Sequence, residues 1–150
     1  MSGFFRNVGV AAAAAAIAWT TLVAPAAAVD PVAGAQCRGR VIRDWPETTV
    51  VKFKVSRNGN WVTDVSVGPY PIDTCGAGGD PPDQSASKAA VTNGSFTAHV
   101  TYRTDTGRLL AKATVKGTFA KHGRERGTVQ TTVVDDDKCS STYQYKTTKQ

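Results

Sequence analysis

The chain has 150 residues, 18 Lys+Arg against 12 Asp+Glu, and a formal net charge of +6. That length holds one domain, and a composition 41% hydrophobic and 20% charged is too apolar for a wholly disordered chain and too mixed for a multi-span membrane protein. Two histidines and three cysteines leave little material for a zinc site or a histidine-dependent enzyme.

The first 28 residues read as a helical signal peptide. Met1 to Asn7 carries one cation, Arg6, and no acid. Val8 to Val23 is almost wholly apolar, Pro25 breaks the helix, and Ala26-Ala27-Ala28 supplies an A-x-A site. Cleavage after Ala28 leaves 122 of the 150 residues, loses only Arg6, and gives a mature net charge of +5. An uncleaved anchor is disfavoured because alanine is weakly lipophilic and Pro25 with small residues suits a peptidase. Lipidation at Cys37 is disfavoured too, since Gln36 precedes it and the apolar run ends well upstream. The expected location is secreted, extracellular or cell-wall associated, with no transmembrane span after cleavage.

Residues 29–36 read as a flexible mature N-terminus, and 37–150 as the folded domain. Val41-Ile42-Arg43 is a short first strand. From Val51 the chain alternates, with Val51, Phe53 and Val55 on one face and Lys52 and Lys54 on the other. Asn58-Gly59 is a hairpin signal, and the return strand runs from Trp61 to Val67. Gly68 to Ala90 holds so many prolines and glycines that no strand is expected there. Alternation resumes with Phe96, Ala98, Val100 and Tyr102 inward, then a turn over Thr104 to Gly107. Ala111, Ala113, Val115, Gly117 and Phe119 share the next inward face. Val129, Thr131 and Val133 mark another strand, and Cys139 to Thr147 the last, where Tyr143 and Tyr145 share a face with Cys139.

The pattern predicts an all-β domain, a small antiparallel β-sandwich or partly open barrel of about six to eight strands. Export exposes Cys37, Cys75 and Cys139 to oxidation, which permits one bridge and one free thiol. Cys75, at the end of a strand-like segment, and Cys139, opening the last strand, are the preferred pair. Cys37 is then the free thiol, unless it displaces Cys75.

Several segments recur in a familiar order: Cys-Arg-Gly-Arg at 37 to 40, Val-Lys-Phe-Lys-Val at 51 to 55, Trp-Val-Thr-Asp-Val-Ser-Val at 61 to 67, and Cys75. Asn-Gly-Ser-Phe at 93 to 96, Val-Lys-Gly-Thr-Phe at 115 to 119, Gly-Thr-Val at 127 to 129 and Cys139 with Tyr-Gln-Tyr-Lys-Thr complete it. The order resembles small secreted actinobacterial β-sandwich proteins with paired cysteines. The resemblance implies a fold and a Cys75–Cys139 bridge, and no activity. Cys37 departs from that pattern.

Chemistry-bearing residues are sparse. G-x-S-x-G is absent, His99 is expected to point outward, and His122 sits in a turn, so a hydrolase triad finds no framework. A Cys37–histidine pair is disfavoured by an oxidising compartment. Glu47 and Glu125, the two glutamates, stand beside turn signals. Asp135-Asp136-Asp137 reads as a solvated turn rather than a calcium loop, which would need a glycine and a later glutamate. No enzyme, metal or cofactor is expected.

The sharpest feature is Lys121-His122-Gly123-Arg124-Glu125-Arg126, with Lys112 and Lys116 upstream. Lys112, Lys116, Lys121, His122, Arg124 and Arg126 would form a basic stripe for an anionic cell-envelope polymer. Their other reading is protection of an edge against aggregation. No aromatic residue interleaves with them, so specific nucleic-acid binding is not expected. Trp45, Trp61 and Tyr70 could stack on sugars or an extracellular protein beside the 68–90 loop, although core packing is the commoner fate of tryptophan.

Overall fold

The computed structural model describes residues 28–42, 49–68, 83–121, 124–134 and 139–149. The signal segment, apart from Ala28, lies outside them. So do Trp45, Tyr70, Cys75, His122 and the aspartate run.

Nine strands form one antiparallel sheet, with no α-helix among the described residues. In chain order they are β1 (Gln36–Ile42), β2 (Val50–Val55), β3 (Trp61–Gly68), β4 (Asp83–Ala86) and β5 (Ala89–Ala90). Then follow β6 (Ser95–Arg103), β7 (Leu109–Ala120), β8 (Arg124–Val133) and β9 (Ser140–Lys149). The spatial order is β4-β6-β7-β8-β9-β1-β2-β3-β5.

That order requires the sheet to curl. β4 and β5 lie at its opposite edges, yet only Ser87 and Lys88 separate them in sequence. The three residue steps from Ala86 to Ala89 span at most about 11 Å, so the two edges must meet. Side chains close the seam where a ladder would otherwise run. The Val67 N–H donates to Gln84 Oε1 at 3.1 Å, and the Tyr102 hydroxyl donates to the Val67 carbonyl at 3.3 Å. The result is a half-barrel whose walls face each other across one core.

The alternating segments make that core as their periods require. Val51, Phe53, Val62, Val67, Phe96, Val100, Tyr102, Val115 and Val129 are buried. Phe53, Phe96 and Phe119 form a cluster with ring centroids 5.1 to 6.2 Å apart in tilted and edge-on arrangements. Two of the expected turns lie among the described residues and form there. Gly59 adopts φ +76° in the β2–β3 hairpin, and Gly107 adopts φ +82° between β6 and β7. Asn93 and Gly94, both at positive φ, make a two-residue turn closed by reciprocal Thr92–Ser95 hydrogen bonds.

Three expectations are revised. The first strand begins at Gln36 rather than Val41, because Gln36 to Arg40 pair with Lys54 to Val50. The stretch from Gly68 to Ala90 contains β4 and β5. Its glycines and prolines all precede Asp83, and 83–90 is free to pair at the sheet's two edges. Those short strands bring the total to nine. In β3 a bulge intervenes, with Asp64 at φ +53° and the register shifting opposite Phe53. The bulge lets Val62 join Val65 and Val67 inside, although simple alternation would send it outward.

The segment 29–36 is tied down. Val29 N–H donates to the Phe119 carbonyl at 3.0 Å, Gly34 N–H to the Ser56 carbonyl at 3.0 Å, and Val55 N–H to the Ala35 carbonyl at 2.8 Å. Val29 and Ala35 pack against the core.

Candidate functional site

Six cations gather on the outer face of the sheet through strand register. Outward positions of β8, β9 and β1 place Arg126 opposite Lys146, and Lys146 opposite Arg40. Two residues along, Arg38 stands opposite Lys52 of β2, while Arg124 continues the outward row of β8. All six side chains are exposed, and among the described residues none is in an ion pair. The described ion pair is Lys54 with Asp64 at 3.0 Å, both well exposed. Like charges directly opposite one another are destabilising, so this arrangement works against the fold.

Of the six predicted anion-binding residues, Arg124 and Arg126 belong to this face. Lys116 stands opposite Thr128, one row beyond Arg126, and Lys112 two rows farther along β7. Lys121 is exposed at the end of β7, and His122 lies outside the described residues. The hairpin is therefore one end of a broader surface. Sequence reading missed Arg38, Arg40, Lys52 and Lys146. Their outward parity was legible, but their adjacency depends on β9 pairing with β1.

The aromatic expectation rests on Trp61 alone, since Trp45 and Tyr70 lie outside the described residues. Trp61 is 36% exposed, and the Lys88 ammonium stands 4.0 Å from its ring centroid. A sugar stacking on that face would have to displace the cation. His99 points outward as expected, with Nδ1 3.4 Å from Thr114 Oγ1.

A second polar cluster lies inside. Glu125 is 1% exposed, and the Tyr145 hydroxyl donates to its Oε1. The Glu125 N–H donates to Thr147 Oγ1 at 2.9 Å, and Oε2 has no partner among the described residues. Burial pushes the carboxyl up to about 8, with the Tyr145 hydrogen bond opposing the shift. Burial and then the Glu125 charge push the nearby Cys37 thiol up to about 11, and the Tyr145 phenol is raised for the same two reasons. Cys37 is a free thiol, half-buried beside Ala35, Val55 and Phe119. A thiol held protonated at neutral pH is a poor nucleophile.

In the sequence Glu125 stands beside a turn signal, whereas the structure buries it in β8. Continuing the alternation backward from Val129 through Gly127 places it inward, and that signal was available. Glycines make its space. A Cβ at Gly117 would stand 2.0 Å from Glu125 Oε1 and 2.4 Å from Phe96, and one at Gly127 would stand 2.6 Å from the Tyr145 ring.

No family model matches the chain, and no curated protein or solved structure matches it either.

Proposed function

We propose that this is a secreted, non-catalytic binding protein whose basic outer face holds anionic polymers at or beyond the cell envelope. The observation that carries the reading is the row Arg126–Lys146–Arg40, three cations opposed across adjacent strands with no acidic partner among the described residues. A polyanion laid across β8, β9 and β1 would neutralise the row and convert its repulsion into affinity. The hairpin residues Lys121 and Arg124 extend the same surface. The signal-like first 28 residues supply the route outside.

Retention on isolated cell envelopes tests this. Wild type should bind at low salt and elute as the Debye length falls from about 10 Å at 0.1 M toward about 3 Å at 1 M. The triple variant Arg124→Gln, Arg126→Gln, Lys146→Gln should be retained several-fold less. Retention of that variant equal to wild type, or retention insensitive to salt, would reject the face as the contact.

We also propose the Cys75–Cys139 bridge. Its support is that Cys37 is a free thiol whereas Cys139, buried at 6% exposure, is not. By the chain-entropy account such a crosslink stabilises by roughly 4 kcal/mol. Peptide mapping without reduction should return a Cys75–Cys139 peptide, with Cys37 alkylated slowly at neutral pH. A bridge containing Cys37 would refute it.

A further inference from the structure

Beside the row described above, β1, β2 and β3 form a groove of about 430 Å³ lined by Arg38, Arg40, Val50, Lys52, Ser66, Gly68 and Gln84. Its construction follows from register. Arg38 lies opposite Lys52, which lies opposite Ser66, while Arg40 lies opposite Val50, which lies opposite Gly68. The second of these rows is recessed. Val50 is 9% exposed and Gly68 has no side chain, so the first row and Arg40 rise around a low floor.

Every polar side chain among the described lining residues can donate a hydrogen bond. The two guanidiniums and the ammonium are donors only, and the Ser66 hydroxyl can turn to donate. Gln84 is oriented by the seam: its Oε1 is taken by the Val67 N–H, which leaves its Nε2 over Gly68. Among the described residues no carboxylate lines the groove. Asp64 lies in the neighbouring groove, where it pairs with Lys54. That second groove shares Arg38, Lys52 and Ser66, so the two form one continuous track along the sheet.

We infer that this groove is a subsite for a tetrahedral oxyanion carried on a polymer, a phosphodiester or a sulfate ester. The inference rests on the polyanion reading above and narrows it to a place and a chemical class. Donors on three strands and at the seam converge from different directions. A sulfate ester presents three terminal oxygens to such an array, and a phosphodiester two terminal and two ester oxygens set tetrahedrally, whereas a carboxylate presents two oxygens in one plane and leaves donors unused. The arginine forks add bidentate contacts that a lysine surface lacks. The shared track lets successive charged units of one polymer occupy both grooves.

The test titrates the protein at one low salt concentration with poly(glycerol phosphate), dextran sulfate and poly(glutamate). Wild type should bind a phosphate or sulfate polymer about tenfold or more tighter than poly(glutamate). The tighter of the first two identifies the oxyanion. Arg38→Gln, Arg40→Gln, Lys52→Gln together should erase that preference, and Gln84→Glu alone should weaken the phosphate or sulfate polymer most. Arg124→Gln, Arg126→Gln, Lys146→Gln should weaken all three polymers alike. Circular dichroism on each exposed-residue variant reports whether the sheet is intact. Wild-type preference surviving in the groove variant, or equal affinity for poly(glutamate), overturns the subsite while leaving the broader reading standing. Binding of none of the polymers by wild type overturns both.

Discussion

Glu125→Gln is expected to flatten the dependence of folding stability on pH between about 4.5 and about 8. In the folded chain this carboxyl is pushed up to about 8, from an ordinary value of 4.5. Below that window both folded and unfolded chains hold the proton, and the residue carries no penalty. As pH rises through the window the unfolded chain releases its proton while the folded chain retains it. Stability therefore falls by about 1.4 kcal/mol per pH unit, on the order of 5 kcal/mol in all. Above about 8 both states are ionised and the loss is complete. Glutamine has no proton to release and still offers an oxygen to the Tyr145 hydroxyl. The variant's thermal midpoint should stay level from pH 5 to pH 8 where wild type declines, and should exceed wild type at the alkaline end. Cys37 and Tyr145 titrate above this window, so they do not shape it. A wild-type profile as flat as the variant's would remove Glu125 from the interior.

Gly127→Ala should be among the most damaging single-methyl changes in the chain. A Cβ there would stand 1.9 Å from the Lys116 carbonyl oxygen, a ladder atom of β7, and 2.6 Å from the Tyr145 ring. A flexible side chain can swing aside, but a strand carbonyl can move only by opening the sheet. The loss should reach about 3 kcal/mol or more, the upper end of ordinary overpacking. Gly117→Ala, on the directly opposite residue, meets the Glu125 carboxyl and the Phe96 ring instead. Both neighbours are side chains, so its cost should be smaller. Urea midpoints of the two variants give the order. Equal or reversed costs would show that the carbonyl approach is not what requires glycine at 127. An unperturbed Gly127→Ala protein would show the same, since alanine is otherwise the better strand residue by roughly 0.5–1 kcal/mol.

Glu125 and Gly127 belong to one constellation whose members are scattered along the sequence. Gly39, Gly117, Gly127, Glu125 and Tyr145 come from β1, β7, β8 and β9. A Cβ at Gly39 would stand 2.8 Å from the Tyr145 ring, so three glycines clear space around a single tyrosine–glutamate pair. In a linear reading each of those glycines looks like a weak point in its strand. Packed together they are the mould for two large polar side chains. The charged flanks of Glu125, Arg124 and Arg126, made the segment look like a solvated tip. In a strand that flanking pattern is what alternation produces, with neighbours sent to opposite faces.

Only local features could be read along the chain. Period-two alternation assigned the inward faces of β2, β6, β7 and β9. Asn58-Gly59 and the Thr104 to Gly107 segment marked their turns, and the lack of helical period set the all-β class. These follow from side-chain parity and from the backbone angles that glycine and asparagine tolerate, which need no distant partner. Tertiary structure decided the rest. It recruited residues 83–90 as edge strands, placed the bulge at Asp64, and curled the sheet until Tyr102 and Gln84 reached Val67. By pairing β9 with β1 it also brought Arg126 and Lys146 beside Arg40, and it buried Glu125. The reason is that strand order and register are chosen by closure of one common core. Residues far apart in the chain become neighbours only when that core closes.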